Sequence, residues 1–408
     1  MIARVLIGGE EFTDDVLRGG VSNLSSTIED EEGRLAIGAA SVSFCNLNGS
    51  FNDLIADPPE EEILISMGSR RAFVGHCALG GFSYDPDDAR VDINLLALEN
   101  KVIEKMQAIR PTDLSPGGLA GIQENKYIAR PGWTASDVRV FFNVSGLIEL
   151  ILSTVGIGAS HRTLPPDENL WIGGVALGMS TAPRLPCDSC YDLFREIVKI
   201  LNGVWWINPA GHFSLYRKRD LLPLRAAQSA VPLEPIRGSV RVTDEYYKIE
   251  KVSFEYSNSD LVVPSGLEQY PKASLTSCPV PRREKSVQSV FQIPTPVAGY
   301  PYLTIEGSDL HTSKYLIQSP RGGTLHDHRP VAALTILQNG YAIDLKSDIS
   351  LDVEHSILDD ESFFANWPMV YSRVSVPGAP EGLFFVRSAE ADLEAEKVRI
   401  QAIRYELD

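Results

Sequence analysis

The sequence predicts a mainly β protein in which two small β-barrel domains flank an inserted α/β unit. Three observations carry that expectation. Both ends of the chain hold short runs in which apolar and polar residues alternate, bounded by Gly, Pro, Asn and Asp turn signals. The middle holds apolar residues at the 3.6-residue repeat of helices packed on one side. An apolar strand, an acidic hairpin tip and a basic-Val-charged-Ile-amide strand also occur near each end, as if one unit were used twice.

In chain order, Met1–Ile7 opens with alternating apolar positions, and Gly33–Leu47 places Leu35, Ile37, Val42 and Phe44 among small residues. Glu62–Met67, Arg71–Cys77 and Ala89–Leu98 follow as short strands. Asn48-Gly49, Asp57-Pro58-Pro59, Met67-Gly68-Ser69 and Asp85-Pro86-Asp87-Asp88 mark the turns. Asp137–Val155 reads as a helix through Val140, Phe141, Val144, Leu147, Ile148, Ile151 and Leu152. Cys190–Asn202 reads as a second helix. Ser189 and Asp192 have capping-box spacing, and Gly203 stands where a left-handed C′ residue is wanted. Val204–Ile207, Asn208-Pro209-Ala210-Gly211 and His212–Arg217 read as a β-hairpin. Residues 220–240, with Pro223, Pro232 and Pro235, read as a connection. Beyond it, Tyr246–Tyr256, Phe384–Ser388 and Lys397–Tyr405 read as strands and Asp359–Asn366 as a helical turn. The expected division is 1–105, 106–235 and 236–408.

Composition bounds the function. With 44% hydrophobic and 22% charged residues over 408, the chain is neither disordered nor a coiled-coil rod, and its length predicts two to four domains. Phe141–Ala159, the most apolar window, carries Asn143 and Glu149 and is too short and polar for a membrane span; with no signal peptide readable, a soluble chain is expected. Lys plus Arg number 37 against 54 Asp plus Glu, a net charge of −17. That balance excludes general phosphate gripping and disfavours anionic membranes, yet suits a wall past which nucleic acid slides without adhering. Five scattered cysteines (Cys45, Cys77, Cys187, Cys190 and Cys278) suit folding in a reducing cytoplasm.

Few constellations could carry chemistry. Cys187-Asp188-Ser189-Cys190 is a C-x-x-C at a helix N-terminus, where the second thiol is expected to have a lowered pKa. We read the pair as capping and packing, with a redox or soft-metal role as the alternative. His326 and His328 could share one strand face and bind a metal, but read better as part of a polar loop. His355 among Asp352, Glu354, Asp359 and Asp360 lacks calcium-loop spacing and reads as a solvated face. G-x-S-x-G, H-E-x-x-H and P-loop motifs are missing from the sequence. Trp133, Trp171, Trp205, Trp206 and Trp367 read as core or interface residues, with a sugar-binding cleft as the alternative. No catalytic residue, cofactor or metal is expected.

Two stretches carry a family resemblance. Met67-Gly68-Ser69-Arg70-Arg71-Ala72-Phe73-Val74-Gly75 followed by Ala89–Leu98 resembles the G-x-x-x-F-x-G-x-V pattern and amphipathic strand of the central hub proteins of phage tail baseplates and tail tips. Trp205-Trp206-Ile207-Asn208-Pro209-Ala210-Gly211, after the helix Cys190–Asn202, resembles that family's W-x-x-D/N-x-x-G hairpin. The resemblance spans nearly the whole chain as architecture. It implies a non-enzymatic homotrimer whose paired barrels form a pseudo-sixfold ring that closes the tail tube and meets threefold fibres or a spike. Implied partners are the distal tail protein ring or tail tube, the tape-measure protein and receptor-binding fibre or spike proteins, with DNA passing unbound and no membrane contact. Such a protein is made in the host cytoplasm and resides in the virion. Because the sequence ends three residues past the last expected strand, fibres are expected as separate proteins. The alternatives are a carbohydrate-binding or carbohydrate-active β-protein and the hub of a related contractile injection machine.

Overall fold

The computed structural model describes residues 3–28, 36–56, 62–67, 70–126, 139–167, 170–173, 187–201, 203–243, 316–318, 344–359, 367, 369–379, 382–392 and 395–406. The expected strand Tyr246–Tyr256, most of the helical turn Asp359–Asn366, Trp133, Cys278, His326 and His328 lie outside these residues.

The first part builds β1 (Ala3–Ile7), β2 (Glu10–Glu11), β3 (Val16–Ile28), β4 (Ala36–Cys45), the short helix α1 (Asn52–Ala56), β5 (Ile63–Met67), β6 (Arg70–Asp85) and β7 (Arg90–Ala97). The helix α2 (Leu98–Ala108) and α3 (Pro116–Ile122) lead to β8 (Gln123–Lys126), β9 (Arg139–Asn143), α4 (Val144–Thr154), β10 (Arg162–Thr163) and β11 (Leu170–Gly173). Then come α5 (Cys190–Ile200), β12 (Gly203–Ile207), β13 (Phe213–Arg217), α6 (Lys218–Ala226), β14 (Val231–Pro232), β15 (Arg241–Thr243) and β16 (Leu316–Gln318). The last part is β17 (Asp344–Glu354), β18 (Arg373–Ser375), β19 (Leu383–Asp392) and β20 (Lys397–Glu406). The protein is mainly β with an α/β unit in its middle.

Among the described residues, strands from both ends of the chain form one thirteen-stranded sheet in the order β15-β17-β20-β19-β3-β4-β7-β6-β5-β1-β2, with β18 beside β19 and β14 beside β18. Alternation decides which side chains it buries. On β7, Val91, Ile93, Leu95 and Ala97 face inward while Arg90 and Asn94 are exposed. On β20, Val398, Ile400 and Ala402 do the same. These residues share a single apolar core with Phe44, Phe51, Ile65, Leu351 and Trp367. A second core, in the α/β unit, packs α2, α4 and α5 against β12 and β13 through Met106, Leu147, Ile151, Phe194, Trp205 and Phe213. Phe194 meets Trp205 edge-on at 5.6 Å, and Trp205 stacks on Phe213 at 5.4 Å. Burial of α5 on its Leu193, Phe194, Ile197, Val198 and Leu201 stripe follows the sequence period.

Three local expectations are corrected. The helix expected from Asp137 begins at Val144, because Asn143 caps it by accepting the Gly146 N–H at 2.8 Å, and Val140–Phe142 extend into β9 instead. Gly203 is not a left-handed cap; it opens β12, where a Cβ would lie 3.1 Å from Leu215 Cδ1 and 3.2 Å from Val198 Cγ1. The connection near Pro223 contains the helix α6, with Pro223 inside it. The cap expected at Ser189 is present. Its hydroxyl accepts the Asp192 N–H at 3.1 Å and donates to the Asp192 carboxylate at 2.7 Å. Ser189→Ala is expected to cost about 1 kcal/mol, read as a lower urea midpoint at unchanged m-value.

Candidate functional site

The feature that most distinguishes this chain is a strand unit that occurs twice. In the first copy the strands lie in the order β3-β4-β7-β6-β5; in the second, β15-β17-β20-β19-β18. Every neighbouring pair in both copies is antiparallel. The registers superpose as well. Val91 pairs with Phe44 and Ile93 with Val42; Val398 pairs with Val353 and Ile400 with Leu351. All eight of these side chains are buried.

The hairpins agree down to their irregularities. In the first, Asp85 lies opposite Arg90, and the residue before Arg90, Ala89, has φ 47°. In the second, Asp392 lies opposite Lys397, and the residue before Lys397, Glu396, has φ 52°. A non-glycine residue in the left-handed region is uncommon, so its recurrence at one turn position is a specific match. Each hairpin also bulges at the same place. Residues 78–81 stand opposite Asn94 alone, between the pairs Cys77–Leu95 and Phe82–Ile93. Arg387 is the extra residue between the pairs Val386–Ala402 and Ser388–Gln401. The two turns have equal length, so the unequal spacing in the sequence arises in the bulge.

Polar side chains on the outward faces differ between copies. Arg90 Nε donates to Asp92 at 2.9 Å and Arg90 Nη2 to Ser43 Oγ at 3.1 Å. At the Ser43 position the second copy has Asp352, which lies 3.2 Å from Lys397 Nζ and 3.4 Å from Arg399 Nε. Asp352 is thus engaged by two cations. Being part-exposed, these pairs contribute little to stability.

The two copies meet at a seam where β19 pairs antiparallel with β3: Ser388 with Thr27, Ala389 with Ser26, Glu390 with Ser25 and Ala391 with Leu24. Small side chains let the strands approach, and the Thr27 and Ser388 hydroxyls lie 3.1 Å apart. Nearby, the Trp367 indole N–H donates to the Ala72 carbonyl at 2.8 Å, tying the second copy to the first. A small crevice opens here, lined in part by Ser26, Phe73, Glu99, Asn208 and Trp367.

Glu99 joins the first copy to the α/β unit. It lies in the first turn of α2, where a carboxylate suits the helix dipole, and its Oε1 accepts the Ile207 N–H at 2.8 Å. Burial pushes its carboxyl up to about 7, against the opposing effect of the Ile207 N–H and its own backbone N–H. On the far side of β12, the W-x-x-N-x-x-G hairpin has a clear local cause. Asn208 Oδ1 accepts the Ala210 and His212 N–H groups at 3.0 and 2.9 Å, and Gly211 takes φ 79°.

The sequence-predicted chemical candidates do not converge in the described residues. Cys190 is buried, and burial together with the Asp113 carboxylate pushes its thiol up to about 12. The expected lowering at a helix N-terminus is therefore overturned: desolvation outweighs the dipole, and the Cys190 N–H is taken by the Ile109 carbonyl at 2.8 Å. No disulfide or group of three or more metal-binding side chains occurs among the described residues. Trp205, Trp206 and Trp367 are all buried, Trp205 and Trp206 in apolar cores and Trp367 beside the crevice at the seam. His355 opens a short 3₁₀ helix that runs to Asp359.

No protein-family model and no curated protein matches the chain. Among solved structures it is similar to the 43 kDa tail protein of prophage MuSo2 from Shewanella oneidensis, at TM-score 0.47 and 9% identity, covering 98% of this chain and 97% of that one. It is similar to the tail protein from Neisseria meningitidis MC58, at TM-score 0.49 and 9% identity over 99% and 96% of the two chains. It is also similar to the prophage tail protein gp18 from Listeria monocytogenes EGD-e, at TM-score 0.46 and 11% identity over 99% and 94%.

Proposed function

We propose that this chain is a non-enzymatic structural protein of a phage tail: the trimeric hub at the tail tip or baseplate. The observation that carries the reading is the duplicated five-strand unit, matched in order, register, place of the bulge and turn. Three chains with two such units each offer six similar positions. They can meet a sixfold tube above and present threefold symmetry to fibres or a spike below. In this reading the α/β unit of about 106–235 is an insertion between the two barrel-forming parts. The hub closes the tube, holds the end of the tape-measure protein and anchors receptor-binding proteins. The surplus of acid over base, a net charge of −17, keeps passing DNA from adhering to the channel wall.

Imaging of native particles labelled with an antibody to this chain tests the proposal. Label confined to the distal end of the tail, at three copies per particle, is expected. Label distributed along the tube, or missing from purified particles, contradicts it.

A further inference from the structure

The seam inside one chain shows how two units join, and among the described residues its counterpart at the outer ends of the same chain is open. Position for position, the seam residues Glu390 and Ala391 on β19 correspond to Ser83 and Tyr84 on β6. On the other side of the seam, Ser25 pairs with Ala39 in the first copy as Thr243 pairs with Asp348 in the second. Val242 therefore stands where Leu24 stands. Among the described residues, Phe82–Asp85 pair with β7 alone and β15 pairs with β17 alone.

Exposure separates covered from uncovered counterparts. Ala391 and Leu24, opposite one another in the seam, are 0% and 1% exposed. Their counterparts Tyr84 and Val242 are 39% and 38% exposed, two of the few large apolar side chains left in solvent among the described residues. A sheet edge with unpaired backbone groups and an exposed aromatic is a template for another strand.

We propose that β6 pairs, along Ser83–Asp85, with β15 of a second copy of this chain, repeating the seam between molecules. The proposal rests on the ring reading above and names the surface that closes it. Applying the seam register places Tyr84 opposite Val242 and Ser83 opposite Thr243 of the neighbour. Continued one residue beyond the seam's last pair, the register sets exposed Asp85 opposite exposed Arg241, an opposite-charge cross-strand pair. The small–large pair Ala391–Leu24 becomes a large–small pair, Tyr84–Val242. Each chain presents one edge of each kind, so the contact is heterologous. A ring forms if the rotation that relates the two units inside a chain also relates units of neighbouring chains.

Cysteine cross-linking of the full chain tests this. In Y84C/V242C protein, mild oxidation is expected to give a non-reducing ladder that ends at three chains, because directly opposed Cβ atoms lie about 4.5–5.5 Å apart. Mixing the Y84C and V242C single variants should give two-chain products, whereas each alone, like the parent with its native thiols, should give none. L24C/A391C serves as the positive control and should close within one chain. If the protein has the mass of three chains but Y84C/V242C gives no inter-chain bond while the control closes, the pairing is overturned and the trimer stands. A ladder running beyond three supports the pairing and overturns the trimer. A monomer that yields no inter-chain bond at any concentration overturns both.

Discussion

Gly75→Val is expected to destabilise the fold by about 3 kcal/mol or more, within the reach of core overpacking and a large part of a typical total stability. A Cβ at this position would lie 2.1 Å from the Leu96 carbonyl oxygen on the paired strand β7, and 2.7 and 2.8 Å from ring atoms of Phe73. The obstacle is hydrogen-bonded backbone, which cannot give way without breaking the β6–β7 ladder. Phe73 lies over the site, so the F-x-G part of the sequence pattern is a packing unit: the ring fills space that only glycine leaves. Denaturant unfolding of G75V should show a much lower midpoint. The control is Gly121→Ala, where nothing lies within 4 Å of the added methyl, and which is expected to be neutral or stabilising by up to about 1 kcal/mol. Equal stability of G75V and the parent would contradict this assignment of the motif.

The second large effect concerns Glu99 and pH. Its carboxyl titrates near 7 in the folded protein against an ordinary value of 4.5, so the folded state holds the proton more tightly than the unfolded chain. The stability this confers is complete below about pH 4.5 and is lost as pH rises through about 7. Over that interval the loss is about 3 kcal/mol, since each pH unit of difference corresponds to about 1.4 kcal/mol. Glu99→Gln keeps a carbonyl to accept the Ile207 N–H and removes the charge. Relative to the parent, E99Q is therefore expected to gain about 3 kcal/mol between pH 4.5 and pH 9, measured as unfolding free energies at both. Parallel pH profiles for the two proteins would contradict it. Because Glu99 bridges α2 to β12, this proton reports on the junction between the first strand unit and the α/β unit.

Strands that bury one face were legible wherever the alternation was clean, as in Arg90–Leu95 and Lys397–Ala402. The amphipathic stripe of α5 and its Ser189 cap were legible too. The strand β3 was not. Gly19-Gly20 interrupts it, and Ser22–Thr27 offers mostly small polar residues because strands flank this stretch on both sides at the seam. Helix α2 was hidden because Leu98 continues the apolar alternation of β7. The acid at Glu99 within the first turn was the available signal for it. Correspondence between the two hairpins was visible in the sequence only as a loose pattern, since the longer bulge at 78–81 displaces the apolar strand from its turn. Pairing registers remove that offset. Cys190 shows the opposite failure: its motif was plain, but only packing reveals a thiol that burial holds protonated.

The ring of repeated units is tested most directly by the mass of the purified full-length protein in solution. A particle of three chains, each of 44.8 kDa, is expected. A protein that stays a single chain up to the highest soluble concentration, or one that grows into open-ended assemblies, would contradict it.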